Sequence, residues 1–98
     1  MYMADMEARV VALDRIQTEV LEEMANSLGR IGRKLEELIT KLRQIEEKPS
    51  VPIEEYSAIR KEARLYYWYL IVQRESIGLR NHNDVTMQYR IPPSILQS

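Results

Sequence analysis

The chain has 98 residues, which is the size of one domain with a modest hydrophobic core. Its formal charge of −1 excludes a strong overall field that would attract nucleic acid or an anionic membrane. Cysteine is absent, which excludes disulfides, thiolate catalysis and cysteine-based zinc sites. The first residues lack the basic and apolar regions of a signal peptide, so we expect a cytoplasmic protein.

An apolar stripe with helical spacing runs through the first half of the chain. Its members follow one another at intervals of three or four residues: Met3, Met6, Val10, Leu13, Ile16, Val20, Met24, Leu28, Ile31, Leu35, Leu38, Leu42 and Ile45. This spacing predicts a helix over residues 4–47, about 66 Å long. From Leu28 onward the two intervals alternate strictly, which predicts a short antiparallel coiled-coil seam.

The segment Asn26-Ser27-Leu28-Gly29 is the weakest part of this helix. Gly29 and Gly32 each cost ~1 kcal/mol relative to alanine in a helix interior. Two interpretations follow: one continuous helix, or a kink near Gly29 that divides it in two. The apolar spacing continues through the segment without a gap, and it therefore favours the continuous helix.

Two prolines in the segment Glu47-Lys48-Pro49-Ser50-Val51-Pro52 predict a turn at residues 48–52. Ser50 offers a capping oxygen to a second helix over residues 52–78, and Gly78 is its expected stop. So short a connection predicts an antiparallel hairpin, in which facing positions have numbers that sum to about 101. Gly32 then lies opposite Tyr69, where we expect it to make room for an aromatic side chain.

The centre of the second helix is apolar on every side, from Leu65 through Tyr66-Tyr67-Trp68-Tyr69 to Val72. Such a helix must be covered on more than one face, and this stretch is too short to span a bilayer. One stripe is expected to pack on the first helix: Tyr56, Ile59, Ala63, Tyr66, Leu70 and Ile77. A second stripe lies nearly opposite and is predicted to form an interface: Leu65, Trp68, Val72 and Leu79, with Tyr69 beside it.

Two segments are candidates to cover this second stripe. Residues 4–24 of the first helix project beyond the shorter second helix, so arms exchanged in a homodimer would give a four-helix-like bundle. The other candidate is a C-terminal arm at residues 85–98, which follows a polar turn at residues 80–84 and is interrupted by Pro92-Pro93.

The C-terminal arm has several possible structures. Its alternation of apolar and polar residues predicts an edge strand or extended arm, or a short helix capped by Asp84, and Ile95 and Leu96 are expected to anchor its end. Strand-forming residues at 65–74 and 85–91 keep a β-hairpin as an alternative.

Four side chains near the end of the second helix have the chemistry to hold a phosphate or carboxylate: Arg74, Arg80, His82 and Arg90. Cations there also complement the helix dipole without binding a ligand. The aromatic residues, with Arg60, Arg64 and Arg74 nearby, allow a nucleic-acid stacking interpretation, although the overall charge favours their packing in a core or interface. The sequence contains no recognisable catalytic, cofactor or metal-binding motif, so we expect neither a cofactor nor a metal.

The order of elements resembles that of the small all-helical chorismate mutases. The shared layout is a long helix, a proline-containing turn, a second helix ending at Gly78-Leu79, and a third segment at Ser94-Ile95-Leu96-Gln97. The resemblance covers layout rather than a motif, and Pro92-Pro93 departs from it. It implies an intertwined dimer whose buried Arg and Lys side chains hold a dicarboxylate substrate.

The sequence therefore predicts an all-α single domain over residues 1–98, a helical hairpin with a short C-terminal arm that assembles as a dimer or larger homo-oligomer. The expected function is self-association and protein–protein contact without catalysis, including a possible protein partner at Trp68. One alternative is a small helical enzyme that binds an anionic metabolite. The other is a nucleic-acid-binding module that uses the aromatic and arginine residues.

Overall fold

Four helices make up the part of the chain that the computed structural model describes, which is residues 2–96, with side chains from residue 5 onward. They are α1 (Tyr2–Glu46), α2 (Ile53–Ser76), α3 (Asn83–Gln88) and α4 (Pro93–Leu96). Residues 2–96 contain no strand, so the alternative β-hairpin interpretation is wrong. The Met3 side chain and residues 97–98, which belong to the predicted stripe and arm, lie outside the described part.

The first helix is continuous. α1 has 45 residues and passes through Asn26–Gly29 without interruption, so the long helix is confirmed and its division into two helices near Gly29 does not occur. It gives the molecule its longest dimension of 75 Å, against 20 Å and 18 Å in the other directions. None of the described helices carries an apolar stretch long enough to cross a membrane.

The C-terminal half of α1 packs against α2 as an antiparallel hairpin. Its buried residues include Leu35, Leu38 and Leu42 of α1, with Ala63 and Leu70 of α2. The C-terminal part of the predicted stripe, from Leu35 to Ile45, is therefore internal. Ile39, next to Leu38, does not belong to the predicted coiled-coil seam, yet it is only 3% exposed. α1 thus buries a wider face than a two-helix seam requires, because the C-terminal segments cover it as well.

The ends of α2 are formed by backbone groups. Ser50 does not cap this helix as predicted; the N-cap position is Pro52, without a side-chain hydrogen bond, since the helix begins at Ile53, three residues after the serine. At the other end Gly78 has a φ of +89°, and the N–H of Leu79 donates to the carbonyl of Arg74 at 2.9 Å. The predicted stop at Gly78 is confirmed, and its left-handed conformation explains the glycine.

The C-terminal segment folds back onto the hairpin as two short helices, where an edge strand or extended arm was among the expectations. Val85, Ile91 and Ile95 are buried in the core, so this segment is a third layer of the fold. Asp84 lies inside the first turn of α3 and does not cap it. The chain turns after α3 at Arg90, whose φ is +49°.

The proline pair separates α3 from α4, and Pro93 is the first residue of α4 rather than a break within a helix. Proline suits the first helical turn, where its missing N–H has no partner to lose. Of the two expected anchors, Ile95 is buried and Leu96 is exposed.

Candidate assembly surfaces

The outer side of α2 is an exposed apolar surface, which we call the Trp68 face and define as Leu65, Trp68, Val72 and Leu79, with Tyr69 at its edge. The positions 65, 68 and 72 are three and four residues apart, which places them on one side of a helix. Ala63 and Leu70 occupy the inner side and are buried. Trp68 is 59% exposed, so the single chain leaves most of its indole ring in water.

Contacts between aromatic rings link the Trp68 face to the packed interior. The ring of Tyr69 lies edge-on to that of Tyr66, with 5.6 Å between centroids, and Tyr66 packs against the core. The Trp68 ring lies 5.9 Å from the Tyr69 ring at a tilted angle. These contacts restrain the exposed indole, and a restrained aromatic side chain binds a partner at a lower entropic cost.

The C-terminal segment covers one edge of the Trp68 face. An open groove of about 720 Å³ runs along this edge, with Leu65 and Trp68 on one side and Ile95 and Leu96 on the other. Lys61, Glu62 and Arg64 are the charged residues of its lining. The predicted covering of the second stripe by the C-terminal arm is thus limited to this edge, since Ile95 packs into the core instead.

The N-terminal half of α1 carries the second exposed apolar surface. We call residues 5–24 the α1 arm. Its apolar residues are exposed by roughly half or more: Met6, Val10, Val11, Leu13, Ile16, Val20 and Leu21. Only the base of the arm meets α2, in a shallow groove where Ile16, Val20 and Met24 approach Ile77. The remainder of the stripe extends past the end of α2.

The four candidate anion-binding residues do not form one cluster. The Arg74 Nη2 donates to the carbonyl of Asn81 at 3.0 Å, and the His82 Nε2 lies 3.1 Å from Glu75 Oε1. Arg90 belongs to a different groove, beside Arg33 and Arg43 of α1.

Two further polar atoms of that group lie near the turn after α2. The Nε of Arg74 and the Nδ1 of His82 are shielded from solvent without a hydrogen-bond partner among the described residues. Arg80 is exposed in the same connection. This arrangement brings Arg74 close to the α2–α3 turn, while anion binding by these residues stays a prediction.

One arginine of the nucleic-acid interpretation forms a hydrogen bond within the chain. Arg60 is half-buried, and its Nε donates to the carbonyl of Ser94 at 2.9 Å. Within residues 2–96, no three His, Asp or Glu side chains are grouped to hold a metal ion.

Sequence reasoning missed the contacts that attach the C-terminal segment. Arg60 binds Ser94, Arg43 donates to the carbonyl of Arg90, and the Tyr89 hydroxyl lies against Gly32. Gly32 therefore does not make room for Tyr69, and the prediction based on facing positions is wrong for this glycine. The glycine in a helix interior, which indicated a close approach by an aromatic side chain, was the only signal of this contact in the sequence.

The chain belongs to a family of unknown function (DUF6665), which it matches over residues 3–98. No curated protein matches the chain, and no solved structure matches it.

Proposed function

We propose that this protein is a self-association module that mediates protein–protein contact and has no catalytic activity of its own. The observation that carries the proposal is the α1 arm, a projecting helical segment whose apolar stripe is exposed along its length. An isolated amphipathic helix gains most of its stability by packing that face. A second copy of the chain offers a surface of matching chemistry.

The size of these surfaces favours a stable assembly. Fully burying a leucine, isoleucine or valine side chain contributes ~1.5–3 kcal/mol. Six half-exposed apolar residues on the arm, without Val11 on the other side of the helix, then supply roughly 5–9 kcal/mol, and a symmetric dimer contains two arms. Association costs about 4–15 kcal/mol in lost freedom, so two arms together with the Trp68 faces exceed that cost.

The assembly that uses both surfaces is a homodimer in which the projecting arms are exchanged, giving a four-helix-like bundle. Each copy then stabilises the part of the other that its own α2 does not reach. In a chain that is not paired with a second copy, the Trp68 face stays open to another protein partner.

Light scattering over a concentration series tests the proposal. We expect a mass of at least two copies of the 11.6 kDa chain, with dissociation on dilution. A mass of one copy at every concentration would contradict self-association.

Two variants of the arm form a matched pair for the same measurement. Leu13 is 59% exposed within the apolar stripe, and Val11 is 53% exposed on the other side of the helix. We expect Leu13→Glu to dissociate the assembly and Val11→Glu to leave it intact, because only the first places a charge in the buried stripe. Equal effects of the two variants would contradict burial of this stripe between copies.

A further inference from the structure

We infer that the Trp68 face of one copy receives the α1 arm of a second copy, running parallel to α2 and guided by opposite charges. The inference rests on the proposed self-association and specifies which surface meets which. It assigns to each exposed surface a single occupant.

The first argument is the direction in which the α1 arm presents its stripe. At 3.6 residues per turn, the mean direction of the stripe over residues 6–24 falls within roughly 20° of that over residues 28–45. The C-terminal part of this side packs on the chain's own α2. The arm therefore requires a helix that continues the line of α2 beyond Ser76, and the α2 of a second copy fits this requirement.

The second argument is length. The arm, at residues 5–24, is about 30 Å long, and the outer side of α2 from residue 58 to its end at Ser76 is about 28 Å long. A two-fold axis near Ile77 places the two α2 helices end to end between two antiparallel α1 helices. Each α2 then has its own α1 on one side and the partner's arm on its Trp68 face, which explains why its centre is apolar all round.

The third argument is charge. The arm carries six acidic and two basic residues: Asp5, Glu7, Asp14, Glu19, Glu22 and Glu23, with Arg9 and Arg15. The segment 58–80 carries five basic and two acidic residues: Arg60, Lys61, Arg64, Arg74 and Arg80, with Glu62 and Glu75. Pairing two arms would bring like charges together, whereas pairing an arm with the Trp68 face joins opposite charges.

This arrangement predicts which charges meet. With the two α2 helices meeting at the axis, Glu7 of one copy comes level with Lys61 of the other. Asp14 comes level with Trp68, one helical turn from Arg64. Lys61 and Arg64 take part in no ion pair within the part of the chain that the structure describes, and the same holds for Glu7 and Asp14. Reversing these charges therefore changes the proposed contact without breaking an ion pair of the described chain.

Charge reversal with complementation tests the inference. The arm variant combines Glu7→Lys with Asp14→Lys. The face variant combines Lys61→Glu with Arg64→Glu. The control combines Glu36→Lys with Glu47→Lys, two positions that lie outside both surfaces. At low salt we expect roughly tenfold or weaker self-association for each of the first two variants and no change for the control. An equimolar mixture of the arm and face variants is expected to form a heterodimer of wild-type strength, because both of its contacts again join opposite charges.

The possible outcomes separate this inference from the proposed function. A wild-type chain that stays monomeric contradicts self-association itself. A wild-type dimer whose face variant associates as tightly as wild type overturns the inference alone and indicates that the arms pair with each other. Circular dichroism of each variant establishes that the helices are retained, and a folded mixture that fails to form the heterodimer also overturns the inference.

Discussion

The hydroxyl group of Tyr89 lies against the backbone of Gly32, at the place where any other residue would carry its Cβ atom. A Cβ there would also come within 3.1 Å of the ring carbon Cζ of Tyr89. The glycine costs ~1 kcal/mol of helix propensity, and the close approach of the C-terminal segment offsets that cost. This contact attaches the third layer of the fold to the middle of α1.

Replacing Gly32 with alanine should therefore lower the free energy of unfolding. We expect Gly32→Ala to destabilise the protein by about 1–2 kcal/mol, because the Tyr89 ring must move out of its packed position. Gly29→Ala is the matched control, since a Cβ there meets only the flexible end of Arg33, and we expect a gain of roughly 0.5–1 kcal/mol. Urea denaturation at one fixed protein concentration measures both, and a gain in both variants would contradict the contact.

The C-terminal segment is expected to contribute to stability as a core element. Ile95 is 3% exposed, so Ile95→Ala removes buried methyl groups and should cost about 2–4 kcal/mol. Met87→Ala, at a residue 77% exposed in the same segment, should cost less than about 0.5 kcal/mol. Thermal unfolding of the two variants gives the comparison, and similar midpoints would mean that the segment is not packed as described.

The hydrogen bond between Arg60 and Ser94 provides a separate test of the same attachment. Arg60→Met keeps most of the aliphatic stem and loses the donor to the Ser94 carbonyl, which lies 2.9 Å away. We expect a loss of about 1 kcal/mol in the free energy of unfolding, together with faster amide exchange in α4. Lys41→Met, at an exposed position of α1, serves as the control and should change neither quantity.

The sequence was sufficient to predict α1 and α2 because the apolar spacing that indicates a helix is repeated many times along each of them. Thirteen apolar residues at helical spacing predict α1, and two stripes with a proline start and a glycine stop predict α2. Residues 85–91 are too few for the spacing to repeat. Their alternation of apolar and polar residues fits a strand equally well, although the structure has a short helix and a turn there. Periodicity is local information, and so it gave no hint of the Tyr89–Gly32 contact.

The same reasoning explains what was predictable about the assembly surfaces. Trp68 lies on a stripe opposite the buried one, and that opposition follows from the sequence spacing alone. How far the C-terminal segment reaches along this stripe depends on Ile95 entering the core, which no pattern in the sequence specifies.

Trp68→Ala is expected to weaken assembly far more than it destabilises the single chain. The indole is exposed in the chain and would be buried between copies, and aromatic residues at interface centres typically contribute at least ~2 kcal/mol, or about thirtyfold in the dissociation constant. Light scattering on dilution measures the association, and circular dichroism measures the retained helix. Ile53→Ala is the control, because Ile53 is 77% exposed at the start of α2 and lies outside the Trp68 face. A Trp68→Ala chain that loses helix while it remains associated would place the indole in the chain's own fold rather than between copies.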